Sequence, residues 1–74
     1  SYEVKLSEGE IIVKFENSSE VSHLQLLSFN GSLAATKQAD SDICRFDVSR
    51  LPSGLYCLVI INSFGNVAKK VIIP

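Results

Sequence analysis

The sequence predicts an all-β protein built as a sandwich of two antiparallel sheets. Apolar and polar residues alternate with a period of two along nearly the whole chain, and turn signals interrupt this alternation at spacings near ten residues. No segment combines a helical period with capping residues. Strands that alternate in this way bury one face and leave the other wet, so we expect seven of them to pack as two layers.

The first two runs predict a hairpin. Apolar side chains alternate through Tyr2–Leu6 and again through Ile11–Phe15, and Glu8-Gly9 between them is a turn signal. A polar break at Asn17–Glu20 ends this unit. We therefore expect the chain to leave the first sheet at this point.

The third run, Val21–Phe29, changes phase. Its apolar pattern slips by one residue between Leu26 and Leu27, which a β-bulge or burial on both faces explains. Asn30-Gly31 follows, a strong hairpin signal because both residue types tolerate a positive φ. The returning run, Ser32–Lys37, is poor in β-branched residues, so we expect a short edge strand.

The last three runs are Ile43–Val48, Leu55–Ile61 and Val67–Ile73. The middle one is apolar at every position, which favours a strand that is central in its sheet or buried on both faces. The last one has Lys69 and Lys70 at its middle. In an alternating strand these two lysines point to opposite faces of the sheet. They can have a structural role at a sheet margin or edge, or they can be a feature that a partner recognises.

The segment ahead of the sixth run has the form of a tyrosine corner. It reads Leu51-Pro52-Ser53-Gly54-Leu55-Tyr56. In such a corner the tyrosine ring packs into the core while its hydroxyl bonds to the backbone a few residues upstream. Together with the strand count, this predicts a seven-stranded antiparallel immunoglobulin-like β-sandwich. At 74 residues the chain forms a single domain, residues 1–74.

Charge and length exclude several functions. Eight acidic residues against seven lysines and arginines give a net charge of −1. Without a basic excess we expect no nucleic-acid binding and no polybasic membrane contact. No apolar run approaches the roughly 20 residues of a membrane span.

Cys44 and Cys57 are the only two cysteines, and His23 is the only histidine. Zinc needs about four ligands, so no zinc site is indicated. Each cysteine alternates with apolar residues and can point into the core. Two alternatives remain open: buried thiols in neighbouring strands, or a disulfide between the two.

The sequence offers little catalytic chemistry. His23 stands alone among polar neighbours, and we expect it to face solvent rather than act as a base. Asp40, Asp42 and Asp47 lack the glycine and terminal glutamate of a calcium loop. We therefore expect no enzyme activity, no cofactor and no metal.

The aromatic residues make a poor binding platform. Tyr2 and Phe29 fit the alternation of core residues, which leaves Phe64 as the exposed candidate. A lone aromatic side chain gives a weak sugar or base contact.

In three stretches the chain resembles a known family. They are "LQLLSFNG" ending at Gly31, "FDVSRLPSGLY" ending at Tyr56, and "GNVAKKVIIP" beginning at Gly65. In this order they are similar to the C-terminal sorting domain of the type IX (Por) secretion system of Bacteroidetes. The resemblance covers roughly residues 10 to 74 and implies a non-catalytic immunoglobulin-like domain at the end of a longer secreted protein.

The resemblance also implies a set of signal residues. Carried over by motif, they are Gly31, Asp47, Leu51, Gly54, Tyr56, Gly65, Lys69 and Lys70. It further implies an attached N-terminal cargo, a translocon and a surface sortase as partners, and passage through the periplasm to the cell surface or medium. A weak edge-strand dimer would suit any small sandwich.

Two alternatives to a sorting domain remain. One is an immunoglobulin-like accessory module of a multidomain surface protein, binding a glycan or a protein. The other is a small secreted Bacteroides protein of unknown function, a group that is similar in its "NG" and "LPSG-Y" layout.

Overall fold

The computed structural model describes residues 2–16, 22–39, 41–62 and 65–74, which form seven strands and no helix. The strands are β1 (Tyr2–Ser7), β2 (Glu10–Phe15), β3 (Ser22–Ser28), β4 (Leu33–Ala39), β5 (Ile43–Asp47), β6 (Gly54–Asn62) and β7 (Gly65–Ile73). The all-β prediction is therefore confirmed. In this part of the chain nothing resembles a helix that is long and apolar enough for a membrane. The predicted polar break at Asn17–Glu20, and also Asp40 and Phe64, lie outside the described residues.

The strands form two antiparallel sheets. One has the order β1-β2-β5 and the other the order β4-β3-β6-β7. The chain therefore crosses between the sheets after β2, β4 and β5. This is an immunoglobulin-like sandwich in which the fourth strand lies beside the third. As predicted, β4 is an edge strand and β6 is central, between β3 and β7.

The core lies between the two sheets and takes alternate residues from most strands, while Tyr2 and Val4 of β1 pack partly buried against it. Its buried side chains are Ile11, Val13, Leu24, Leu26, Ala39, Cys44, Phe46, Val48, Tyr56, Leu58, Ile60, Val71 and Ile73. Burying one Leu or Ile side chain fully contributes about 1.5–3 kcal/mol. Because a strand has a period of two, these positions also identify the outward-facing residues on every strand.

The predicted first hairpin is present. Ser7 pairs with Glu10, so Glu8 and Gly9 form a two-residue loop, and both have a positive φ (49° and 80°). This is the conformation that a tight hairpin with right-handed twist prefers. The Gly9 carbonyl then accepts a hydrogen bond from the Val48 amide at 2.8 Å, which ties the turn to the end of β5.

The predicted bulge is also present, between β3 and β4. Leu26 pairs with Ala35 but Leu27 pairs with Leu33, so Ala34 is the extra residue and it lies on β4. Leu26 is buried in the core, and Leu27 is half-buried on the opposite face of the sheet. The phase slip in the sequence thus reflects a strand that buries apolar side chains on both faces.

The second hairpin turn differs from the prediction in the backbone conformation of Asn30. Gly31 takes a positive φ of 86°, but Asn30 does not. The Asn30 side chain instead accepts hydrogen bonds through Oδ1 from the Ser28 hydroxyl and from the Ser32 amide. Asparagine stabilises this turn as a hydrogen-bond acceptor, and only the glycine supplies the left-handed backbone.

Candidate recognition site

The connection from β5 to β6 carries the chain from one sheet to the other. At its start, Asp47 Oδ1 accepts hydrogen bonds from the Ser49 hydroxyl at 2.7 Å and the Ser49 amide at 3.0 Å. These bonds, the hydroxyl's above all, lower the pKa of Asp47, because they favour the charged carboxylate. The Leu51 amide then donates to the Val48 carbonyl at 3.1 Å, which closes the turn.

The end of this connection is the predicted tyrosine corner. The Tyr56 hydroxyl donates a hydrogen bond to the Pro52 carbonyl at 2.8 Å, and only 6% of the residue is exposed. Leu51 packs, partly buried, against the core. The tyrosine corner is thereby confirmed.

The motif from Asp47 to Tyr56 therefore has a structural role. Asp47 stabilises the turn, Leu51 anchors the connection, and Tyr56 fastens β6 to it. Gly54 is exposed where β6 begins. Of the four candidate signal residues in this motif, Asp47 and Gly54 are exposed, Leu51 is half-buried and Tyr56 is buried.

The three candidate glycines do not form one site. Gly31 follows β3, whose last residue pairs with Tyr56, so Gly31 and Gly54 lie at one end of the sandwich. Gly65 pairs with Asn62 at the opposite end of the same sheet. All three are exposed, and a Cβ at any of them would meet no atom of the described chain within 4 Å.

Lys69 and Lys70 are exposed on opposite faces of the edge strand β7, as predicted for an alternating strand. Lys69 pairs with the buried Leu58 and extends towards the other sheet, where its Nζ lies 6.0 Å from the centre of the Tyr2 ring. Lys70 pairs with Cys57 on the outer face. Lys69 therefore lies at the margin of the core and Lys70 points outward.

The two cysteines are both thiols, and they lie on strands of different sheets. Cys44 is buried on β5, whereas Cys57 is half-buried on β6, in the other sheet. The alternative of two buried thiols in neighbouring strands is wrong for Cys57, which points outward because it alternates with the buried Tyr56 and Leu58. This placement gives the disulfide alternative no support.

Two other polar candidates, His23 and Asp42, lie among the described residues, and both are at the surface. His23 is exposed, as predicted, with Nε2 at 2.9 Å from the Thr36 hydroxyl. Among the described residues, no three His, Cys, Asp or Glu side chains lie close enough to hold a metal ion.

The most exposed apolar side chains lie at positions that the alternation of the sequence does not identify as exposed. Phe29 is 83% exposed, so the prediction that it fits the core is wrong: β3 ends at Ser28 and Phe29 begins the turn. Ile72 is 71% exposed and Leu55 44%. Leu55 and Ile72 each belong to an uninterrupted apolar run, in which alternation does not distinguish a buried face from an exposed one.

A comparison with protein families finds a match over most of the chain. Residues 7–74 match the family described as the secretion system C-terminal sorting domain. A search of the curated proteins finds no match. The family match covers the whole sandwich from the first hairpin turn onward, including all eight candidate signal residues. The chain therefore belongs to the C-terminal sorting domain family of the type IX secretion system and serves as a sorting signal for export.

Proposed function

We propose that residues 1–74 form a single sorting domain that belongs to a longer secreted protein. We further propose that the domain itself is not an enzyme and that it presents β7 to the type IX translocon. Family membership gives the sorting function, an N-terminal cargo and export towards the cell surface or medium. Periplasmic transit, the translocon and a surface sortase are the finer steps that we infer.

The observation that carries this proposal is the exposure of β7. The strand is nine residues long, lies at the edge of its sheet, and pairs only with β6 in the described chain. From Gly65 to Lys70 every residue is exposed. The strand therefore offers a second row of backbone donors and acceptors, and an added strand from a partner would satisfy them.

The two lysines give that edge a positive charge. Lys69 and Lys70 flank the edge on its two faces, so a partner strand pairing with β7 meets one cation on each side. Carboxylates on the partner strand would pair with them and fix its register. In this scheme Gly31, Gly54 and Gly65 shape turns, while Asp47, Leu51 and Tyr56 hold the fold that presents β7. The same edge would also support a weak edge-strand dimer.

An export assay tests the sorting proposal. Residues 1–74 are fused behind a periplasmic signal peptide and a fluorescent reporter, in a strain with a working type IX system and in one without the translocon. We expect reporter at the surface or in the medium only in the competent strain. Reporter trapped in the periplasm of both strains would leave an accessory or binding module instead.

Charge reversal on β7 tests the role of the strand. We expect Lys69→Glu and Lys70→Glu to reduce export, and Lys14→Glu on the exposed face of β2 to leave it unchanged. All three variants change the net charge equally, so a difference between them reports position. Equal export of all three would show that β7 is not what the translocon recognises.

A further inference from the structure

The outer face of the four-stranded sheet carries a cluster of exposed apolar side chains at one end. Its members are Phe29, Leu33, Leu55 and Ile72, which are 83%, 56%, 44% and 71% exposed. We call this cluster the apolar corner. Elsewhere in the described chain the large exposed hydrophobic residues are scattered.

Strand register brings the corner together. Leu55 pairs directly with Ile72, and Phe29 leaves β3 one residue after Ser28, which pairs with Tyr56. In the next row Leu33 pairs with Leu27, which in turn pairs with Cys57. Residues paired directly across an antiparallel sheet lie on the same face. The corner therefore spans all four strands.

The outer face of the three-stranded sheet is charged rather than apolar. There Glu3, Lys5, Lys14 and Arg45 cover the strands, and Arg45 forms an ion pair with Glu10 at 3.2 Å. Charged side chains on that face keep it wet and separate its apolar residues. The apolar corner has no such cover, and an exposed apolar cluster on a small domain marks a contact surface.

Charge is also divided between the sheets. The carboxylate side chains of the described residues all belong to the three-stranded sheet or its turns: Glu3, Glu8, Glu10, Glu16, Asp42 and Asp47. The described residues of the four-stranded sheet carry Lys37, Lys69 and Lys70 and no acid. Lys70 pairs with Cys57, in the row beside Leu55 and Ile72. The corner is thus an apolar surface with a cation at its margin.

We propose that the apolar corner docks onto a folded protein of the sorting machinery, through a surface with an apolar centre and a carboxylate placed opposite Lys70. This inference rests on the proposed sorting function and adds a second contact beside the β7 edge. Large apolar side chains at the centre of an interface supply most of its affinity, and a charge at the rim directs the approach.

Two other occupants fit less well. A second copy packed on the same face would bring its own Lys70 to the rim of the interface, and the described residues of that sheet carry no carboxylate to pair with it. Two like charges facing each other across an interface are unfavourable. The cargo precedes Tyr2, which pairs with Phe15 at the end of β1 away from the Glu8–Gly9 turn. The apolar corner lies at the opposite end of the sandwich, the end of the Glu8–Gly9 turn. There Gly9 and Pro74 line the same surface depression.

The test measures export of the reporter fusion with single changes in the corner. Ile72→Ser and Leu55→Ser are expected to lower the ratio of surface to periplasmic reporter about tenfold, the loss typical of a truncated interface anchor. The matched control is Ile43→Ser, because Ile43 is 42% exposed on the other sheet. Urea denaturation of each purified variant shows that all remain folded.

The outcomes separate the two proposals. If the wild-type fusion is not exported, the sorting proposal and this inference both fail. If it is exported and the corner variants match Ile43→Ser, the inference alone is wrong. It is equally wrong if the variants are exported normally and Ile72→Ser abolishes either a dimer seen by sedimentation or binding to phosphatidylglycerol vesicles. Those results would assign the corner to a second copy or to a lipid surface.

Discussion

The Tyr56 hydroxyl donates a hydrogen bond to the Pro52 carbonyl, 2.8 Å away. Tyr56 lies on β6 and Pro52 in the connection from β5 to β6, so the bond fastens that connection to the strand that follows it. The connection crosses from the three-stranded to the four-stranded sheet. A sandwich has few contacts that fix such a crossing, because the sheets meet through side chains rather than through backbone pairing. This explains why the sequence around Tyr56 carries so many recognisable residues.

The value of this bond can be measured directly. Tyr56→Phe keeps the buried ring and removes the hydroxyl, so we expect a loss of about 1 kcal/mol in the free energy of unfolding. In a domain of this size that lowers Tm by about 4–8 °C. Thermal denaturation of the purified domain tests it, with Tyr2→Phe as the control, since no hydrogen bond involves the Tyr2 hydroxyl in the described chain. Equal Tm values for the two variants would contradict the prediction.

Asp47 makes stability depend on pH. Its pKa is lowered in the folded state, chiefly by the Ser49 hydroxyl, so its stabilising effect is present above the unfolded-state pKa and is lost as the pH falls through the folded-state value. We expect the free energy of unfolding to fall on acidification below about pH 4. Asp47→Asn should flatten that fall.

Urea denaturation at a series of pH values measures this effect, with Asp42→Asn as the control because it removes an exposed carboxylate at the other end of the same strand. Ser49→Ala should reproduce the Asp47→Asn profile, since it removes the main cause of the shift. An acid slope identical in Asp47→Asn and wild type would show that other groups produce it.

The first hairpin turn should be destabilised by a side chain at Gly9. With φ at 80°, alanine is strained by about 1–2 kcal/mol, and its Cβ would lie 3.3 Å from the Ser49 Cβ. Gly31→Ala is the matched control, because Gly31 has a similar φ of 86° and open space around it. We expect Gly9→Ala to lower the urea midpoint more than Gly31→Ala. The reverse order would mean that crowding at Ser49 has no effect.

Neighbouring leucines on β3 should differ sharply. Leu26 is fully buried in the core, and Leu26→Ala should cost about 2–5 kcal/mol, a large part of the stability of a small domain. Leu27 is half-buried on the outer face, so Leu27→Ala should cost much less. Chemical denaturation measures both. Similar losses would place the two side chains in equivalent surroundings and contradict the observed face assignment.

The two thiols should react at different rates. Cys57 is half-buried on the outer face, whereas Cys44 is 3% exposed. In the native protein we expect a disulfide reagent such as Ellman's to modify one thiol quickly, and Cys57→Ser to abolish that fast phase. Cys44→Ser is the matched variant and should retain it. Absence of any reactive thiol until a reductant is added would instead indicate a disulfide.

Local sequence was enough to predict much of this fold. Alternation predicted the seven strands, Glu8-Gly9 predicted a hairpin turn, the slip at Leu26 and Leu27 predicted either a bulge or burial on both faces, and the "LPSGLY" segment predicted the tyrosine corner. Each of these features depends on residues within about ten positions of one another. Their conformations are set by φ preferences, by the period of two, and by hydrogen bonds that close short loops.

Only the tertiary structure decided which residues come together on each surface. Leu55 and Ile72 meet because β7 pairs with β6 in one register, and Cys57 points away from the core because its neighbours Tyr56 and Leu58 point into it. Phe29 is exposed because β3 stops one residue before it. These outcomes depend on pairing between distant segments, and a period of two shows that a strand has two faces without showing what covers each of them.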